Sequence, residues 1–268
     1  MGFRQWCPTW FFGRVGWFVY YLHLVGQAGT AETFTPYGVS HWVLLGVLAV
    51  GALLLVRAGR RHRGTRAGVL FTRAFALSLG LFAVAMQVYR VLPSQWNISV
   101  SLPLHLSDFT WIVAVYALWT HRQWAYSLTY YWGLTLNPQA MLTPALDAPS
   151  FPHIDFVDFW TQHTLVVWAA IYLTWGLGLR PVWRDFATTV MVTVVWGVAV
   201  FWFNRVTGTN YGFLNSKPNN PSLLDVMGPW PWYLAVEFVV GLTAWALITW
   251  PWTRSPGKPA RWRRSTTS

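Results

Sequence analysis

Cysteine is almost absent from this sequence. Cys7 stands alone among 268 residues, so no disulfide can close within the chain and no thiolate metal cluster can be built. Charge is scarce as well, at 10% of residues, where ordinary globular domains carry roughly a quarter. Acidic residues are the scarcest, eight against nineteen Lys and Arg, for a net charge of +11. No HxxxH or HExxH pair occurs, so metalloprotease-type zinc spacing is missing. Extended polar–apolar alternation is also missing, which argues against a barrel, and no internal repeat is visible, which counts against many transporter architectures.

What is present is apolar and aromatic: 54% hydrophobic residues and 21 tryptophans place the chain in the membrane class. A pI near 10.3 raises nucleic acid as a partner. The placement of the arginines removes it, because they crowd into short connections and the C-terminus. Arg57, Arg60, Arg61, Arg63 and Arg66 separate the first two apolar runs, and Arg254, Lys258, Arg261, Arg263 and Arg264 form the tail. That asymmetry is the positive-inside pattern of a membrane protein.

Seven segments are apolar enough to read as spans of a hydrocarbon core, near 39–56, 69–91, 102–120, 124–146, 159–179, 186–206 and 230–250. The expected fold is therefore an all-α bundle of seven transmembrane helices with an outward-opening polar pocket. Arg122, Arg180 and Arg184 fall on the side of the 57–66 loop, which should be cytoplasmic. The opposite loops, 92–101, 147–158 and 207–229, hold Asp147, Asp155, Asp158 and Asp225 and no arginine. The N-terminus is then outside and the C-terminus cytoplasmic, in a cell (inner) membrane. Residues 1–33 read as an aromatic interfacial segment, with 10–26 lying on the outer leaflet rather than acting as a signal peptide. Residues 34–252 form the membrane domain, and 253–268 a basic tail suited to anionic lipid headgroups.

Ionisable groups inside hydrocarbon cost several kcal/mol unless paired or wet, so they mark functional interiors. His105 and Asp108 lie three residues apart just past Pro103 and share one helix face. Glu237 falls near the same outer depth, as do Asn137, His163, Asn204, Arg205 and Tyr211. Acyl transfer or hydrolysis at an ester suits such a set. His105 would be the general base, with Asp108 orienting it or pairing with Arg205. Asn137, Gln139, Asn204 or Tyr211 would donate to a developing oxyanion, and His163 would help hold substrate. Ser107 is two positions from His105 and points about 200° away on a helix, which argues against a local Ser–His dyad. The structural alternative is that lone His, Asn and Tyr only bond neighbouring helices, and that Arg90 and Arg205 reach for headgroups. A zinc centre drawn from His41, His105, His153 and His163 would need four separate segments to converge. The 204–233 loop, rich in Asn, Gly and Pro, is expected to form tight turns over the pocket, with the Pro149–Pro152 stretch and His153, Asp155 and Asp158 as a second cap.

The ordered set Ser40-His41, Pro103-Leu104-His105-Leu106, Asn137-Pro138, Phe151-Pro152-His153, Thr207-Gly208-Thr209-Asn210-Tyr211 and Gly228-Pro229-Trp230-Pro231-Trp232-Tyr233 resembles the YwaF family of bacterial integral membrane proteins, over roughly residues 34–250. That family is similar to the eukaryotic transmembrane protein 164 family, whose members are regarded as phospholipid acyltransferases. The resemblance implies a seven-helix lipid-handling fold with His105 central. The eukaryotic pattern has a cysteine directly before this histidine; here the position is Leu104, so no thioester can form there. The reading that follows is a lipid-modifying enzyme acting on a membrane lipid, with a substrate hydroxyl, amine or water attacking directly and no cofactor implied. Its rivals are a transporter or flippase using the same ionisable cluster, and a non-catalytic assembly or binding subunit.

Overall fold

The computed structural model describes residues 33–144, 146, 148–218 and 222–254. The N-terminal interfacial segment with Cys7, and the basic tail beyond Arg254, lie outside the described residues, as does Asp147. Among the described residues the chain is helical, with one isolated bridge between Thr33 and Pro149. The helices are α1 (Val39–His62), α2 (Arg66–Val91), α3 (Leu106–Thr120), α4 (Gln123–Leu134), α5 (Leu136–Leu142), α6 (Ile154–Ile171), α7 (Trp183–Thr207) and α8 (Trp232–Arg254). A π-helical turn, Tyr172–Gly176, continues α6, and single 3-10 turns cover Tyr211–Phe213 and Leu223–Met227.

Four of these, α1, α2, α7 and α8, are long and apolar enough to cross a membrane. Their outer faces expose Leu53, Leu81, Val195, Trp202 and Val239, side chains that need lipid rather than water around them. The centre is built by the shorter helices packed against α2. Leu79 of α2, Ala114 and Leu118 of α3, Tyr126 and Trp132 of α4, and Ala169 and Leu173 of the α6 run are buried together.

Two expected spans are shorter as helices than the sequence suggested. The 102–120 segment becomes helical only at Leu106, so α3 spans about 22 Å of axis, less than a hydrocarbon core. The 124–146 segment is broken at Thr135, whose backbone (φ −120°, ψ −63°) interrupts α4 and starts α5. Pro138 explains the break: it has no N–H to give Leu134, and its ring crowds the carbonyl of that residue. The loosened end is repaired locally. Thr135 N–H and Asn137 Nδ2 both reach Trp132 O, and Thr135 Oγ1 donates to Tyr131 O at 2.6 Å. Residues at both interruptions, Ser101 and His105 before α3 and Leu136 and Asn137 after Thr135, line a cavity.

The two ends of the bundle are built differently. At one end, Arg60 Nε donates to Trp175 O at 3.1 Å, and Arg63 donates from Nε and Nη2 to Gly176 O. At the same end Gln123 bonds Arg180 O and Asp185 Oδ2. The other end gathers the start of α3, α5, the start of α6 and the loop after α7.

Candidate functional site

A cavity of about 640 Å³ opens at that second end. Its lining includes His105, Ser107 and Asp108 from the start of α3, Asn137 and Gln139 from α5, and Asp158, Gln162 and His163 from α6. Arg90 at the end of α2, Glu237 of α8, and Phe213 and Leu224 of the overlying loop complete the walls.

His105 precedes α3, and its backbone N–H donates to Asp108 Oδ2 at 2.9 Å. Asp108 is thus a helix-start cap for the backbone rather than a carboxylate clasping the imidazole. The His105 ring is held from the other side. Gly212 N–H donates to Nδ1 at 3.2 Å, and the rings of Tyr211 and Phe213 lie 5.1 and 5.9 Å away. A peptide N–H can only donate, so Nδ1 carries the lone pair and the ring proton sits on Nε2. In this arrangement His105 presents a donor from Nε2.

His163 is the reverse. Its Nδ1 lies 2.7 Å from Phe159 O, and a carbonyl can only accept, so the proton is on Nδ1 and the Nε2 lone pair is free of it. The Phe159 ring lies 4.3 Å from the imidazole and fixes its plane. The cavity wall therefore holds one imidazole in each tautomer.

Arg90 pairs with Asp158, and Gln162 Nε2 donates to the other carboxylate oxygen at 2.6 Å. Arg90 thus does more than the structural alternative of reaching for headgroups, and the expectation that Asp158 belongs to an outer cap is corrected here. α6 begins at Ile154 instead of near 159, so Asp158 sits on its second turn, 1% exposed, facing Arg90. The signal that could have found it is the spacing Asp158-x3-Gln162, which stacks both side chains on one helix face.

Arg205, offered from the sequence as a pairing partner of Asp108, is exposed and outside this lining, and makes no ion pair among the described residues. Asn204 and Tyr211 are not on the wall either; they build the loop over it. Asn204 Nδ2 donates to Tyr211 O and Asn215 Oδ1, while its Oδ1 accepts from Tyr211 N and Thr209 Oγ1. Tyr211 Oη donates to Ile98 O at 2.5 Å and accepts from Leu102 N. Burial raises its pKa, which keeps the hydroxyl a donor. Both side chains are therefore spent, and neither is left to hold an oxyanion. The loop does form the expected tight turns, capped by Gly208 at φ +70°.

His41 is fully buried and satisfied, with Nδ1 accepting from Tyr37 N–H and Nε2 donating to Met141 O, each at 2.8 Å. His153 caps α6, with Nδ1 accepting from Asp155 N. Among the described residues no three His, Cys, Asp or Glu side chains gather as metal ligands do. Of the residues proposed from the sequence, the fold brings His105, Asp108, Asn137, Gln139, His163 and Glu237 together on the wall.

The family whose model matches the chain is the TMEM164 family, over residues 36–249. No curated protein and no solved structure matches it.

Proposed function

Since the chain belongs to the TMEM164 family and is a multi-pass membrane protein, we propose that it is a lipid-modifying enzyme transferring an acyl group to or from a phospholipid or related amphiphile. One observation carries this reading: two imidazoles of opposite tautomer line one cavity inside an apolar helical bundle. His163 Nε2 accepts the proton of a substrate hydroxyl, amine or water as that atom attacks the ester carbonyl carbon. The carbonyl π electrons move to oxygen, and His105 Nε2–H donates to the oxyanion. When the carbonyl re-forms, the C–O bond to the lysolipid breaks, and the leaving oxygen takes the proton from His163. Asn137 lines the same wall and is a second candidate donor, while Asp108 holds the backbone that carries His105. Leu104 rules out a thioester at the position before His105.

The rest of the reading concerns the membrane. Seven passes result if the α3 segment and the broken α4–α5 pair each count as one, together with α1, α2, α6 and its π-turn, α7 and α8. The arginine-rich end is cytoplasmic by the positive-inside rule, so the cavity opens outward and α1 begins outside. In a Cys7→Ser background, a cysteine at position 60 should label only from inside and one at position 150 only from outside. Labelling of position 60 from outside would sink the orientation.

The test of function is lipid mass spectrometry with purified protein in liposomes. His163→Gln and His105→Gln are each expected to lower turnover of a lipid ester by about 10²–10⁴-fold while the protein stays monodisperse. Unchanged acyl composition with the intact protein, coupled to lipid flux lost in the same variants, would favour a flippase instead.

A further inference from the structure

We propose that Gly212 is a positioning residue whose peptide N–H sets the His105 tautomer, so that the cavity receives the Nε2 proton of that ring. Its catalytic consequence rests on the acyl-transfer reading above; its geometry does not.

The turn holding Gly212 is fixed on several sides. Asn204 grips Tyr211 through both N–H and C=O, and the rings of Tyr211 and Phe213 flank His105. Gly212 has φ +66° and ψ 9°, a left-handed conformation that costs side-chain-bearing residues. A Cβ there would stand 2.6 Å from Cη2 of Trp196. Trp196 is itself tied to the same place, because its Nε1 donates to Leu104 O, the carbonyl preceding His105, at 3.1 Å. Its Cα lies eleven residues, or about 16 Å of axis, below the end of α7 at Thr207, so the turn folds back along that helix. Both the backbone before His105 and the turn that faces its ring are thus referenced to one indole. Glycine is the residue that lets the peptide N–H come within 3.2 Å of Nδ1. With Nδ1 occupied, the ring has no second tautomer to adopt, and the cost of choosing one is met before substrate arrives.

Solid-state NMR of the full chain in liposomes, with ¹⁵N-labelled histidine, tests this directly. His105 is identified by the signals lost in His105→Gln. The expected result is a bare Nδ1 and a protonated Nε2. Replacing the Gly212 peptide N–H by an ester oxygen, with glycolic acid in place of glycine, removes the donor while keeping the backbone freedom. That change should give a mixed tautomer population and about a tenfold loss of lipid ester turnover. Gly212→Ala should lose more, through the collision with Trp196. A protonated Nδ1 in the intact protein overturns the proposal even if neither variant folds, and so does an ester variant whose tautomer is unchanged. The expected tautomer with no ester turnover in the intact protein supports the positioning geometry and removes the acyl-transfer reading.

Discussion

The arginine end and the cavity end of this bundle carry similar amounts of polar chemistry and use it in opposite ways. At the arginine end the buried tyrosine hydroxyls each have a near partner. Tyr126 Oη donates to Leu179 O, Tyr130 Oη to Ile248 O, and Tyr131 Oη to Thr249 Oγ1 at 2.7 Å, with Thr249 donating on to Trp245 O. Helices there touch through small residues, with Gly59 packed against Gly176. The guanidinium groups of Arg60 and Arg63 satisfy carbonyls of the π-turn, where the end of a helix favours cations. At the cavity end several of the polar groups are ionisable, among them His105, Asp108, His163 and Glu237, and they stand around open space. The difference teaches that polarity within a span is weak evidence of function. Titratable groups facing a cavity are stronger evidence, because a packed core has no need of them.

That contrast can be broken by substitution. The largest expected effect on stability is at the cavity end, where Arg90→Ala would strand Asp158, which is 1% exposed. The loss should approach 3–5 kcal/mol, toward the lower figure because Arg90 is itself a third open. Replacing both partners with Arg90→Met and Asp158→Leu should recover most of the thermal midpoint. If the single variant melts like the parent, the pair is ornamental and the cavity wall is held some other way. At the arginine end Gly59→Ala comes next. The new Cβ would lie 2.7 Å from Gly176 Cα, a backbone atom with little room to move. A cost of about 1–3 kcal/mol is expected in a thermal or denaturant melt, with ester turnover per folded molecule unchanged. Reduced turnover at full stability would mean that the two ends are coupled. The smallest effect is expected for Tyr131→Phe, which leaves Thr249 able to bond Trp245 O. About 0.5–1.5 kcal/mol should be lost, again without a change in turnover.

Much of the arrangement was legible in the sequence, for reasons that differ by residue. Long apolar runs in α1, α2, α7 and α8 announce themselves because lipid demands them around the whole helix. His105, Asp108 and Glu237 were visible because a charge-bearing group in such surroundings is costly. The break at Thr135 was less visible, although Pro138 was in view, since many membrane helices keep a proline inside a continuous span. Asp158 was misplaced because Pro149 and Pro152 suggested a longer loop than the chain makes. Arg205 and Arg90 look alike on paper, each near a helix end. Only the direction of each side chain separates the exposed one from the one paired with Asp158.

Composition and order alone determined that this chain is a helical membrane protein of the TMEM164 family, with most of its arginines toward one end and several of its ionisable residues gathered toward the other. These are one-dimensional properties, set by solvation of each segment and readable without knowing what it touches. The tertiary structure decided which histidine is donor and which is acceptor. A tautomer depends on the single group facing each ring nitrogen, and here those groups are Gly212 N–H, 107 residues from His105, and Phe159 O, one turn from His163. The first of these contacts depends on how the chain returns to itself over more than a hundred residues, and no local pattern encodes that return.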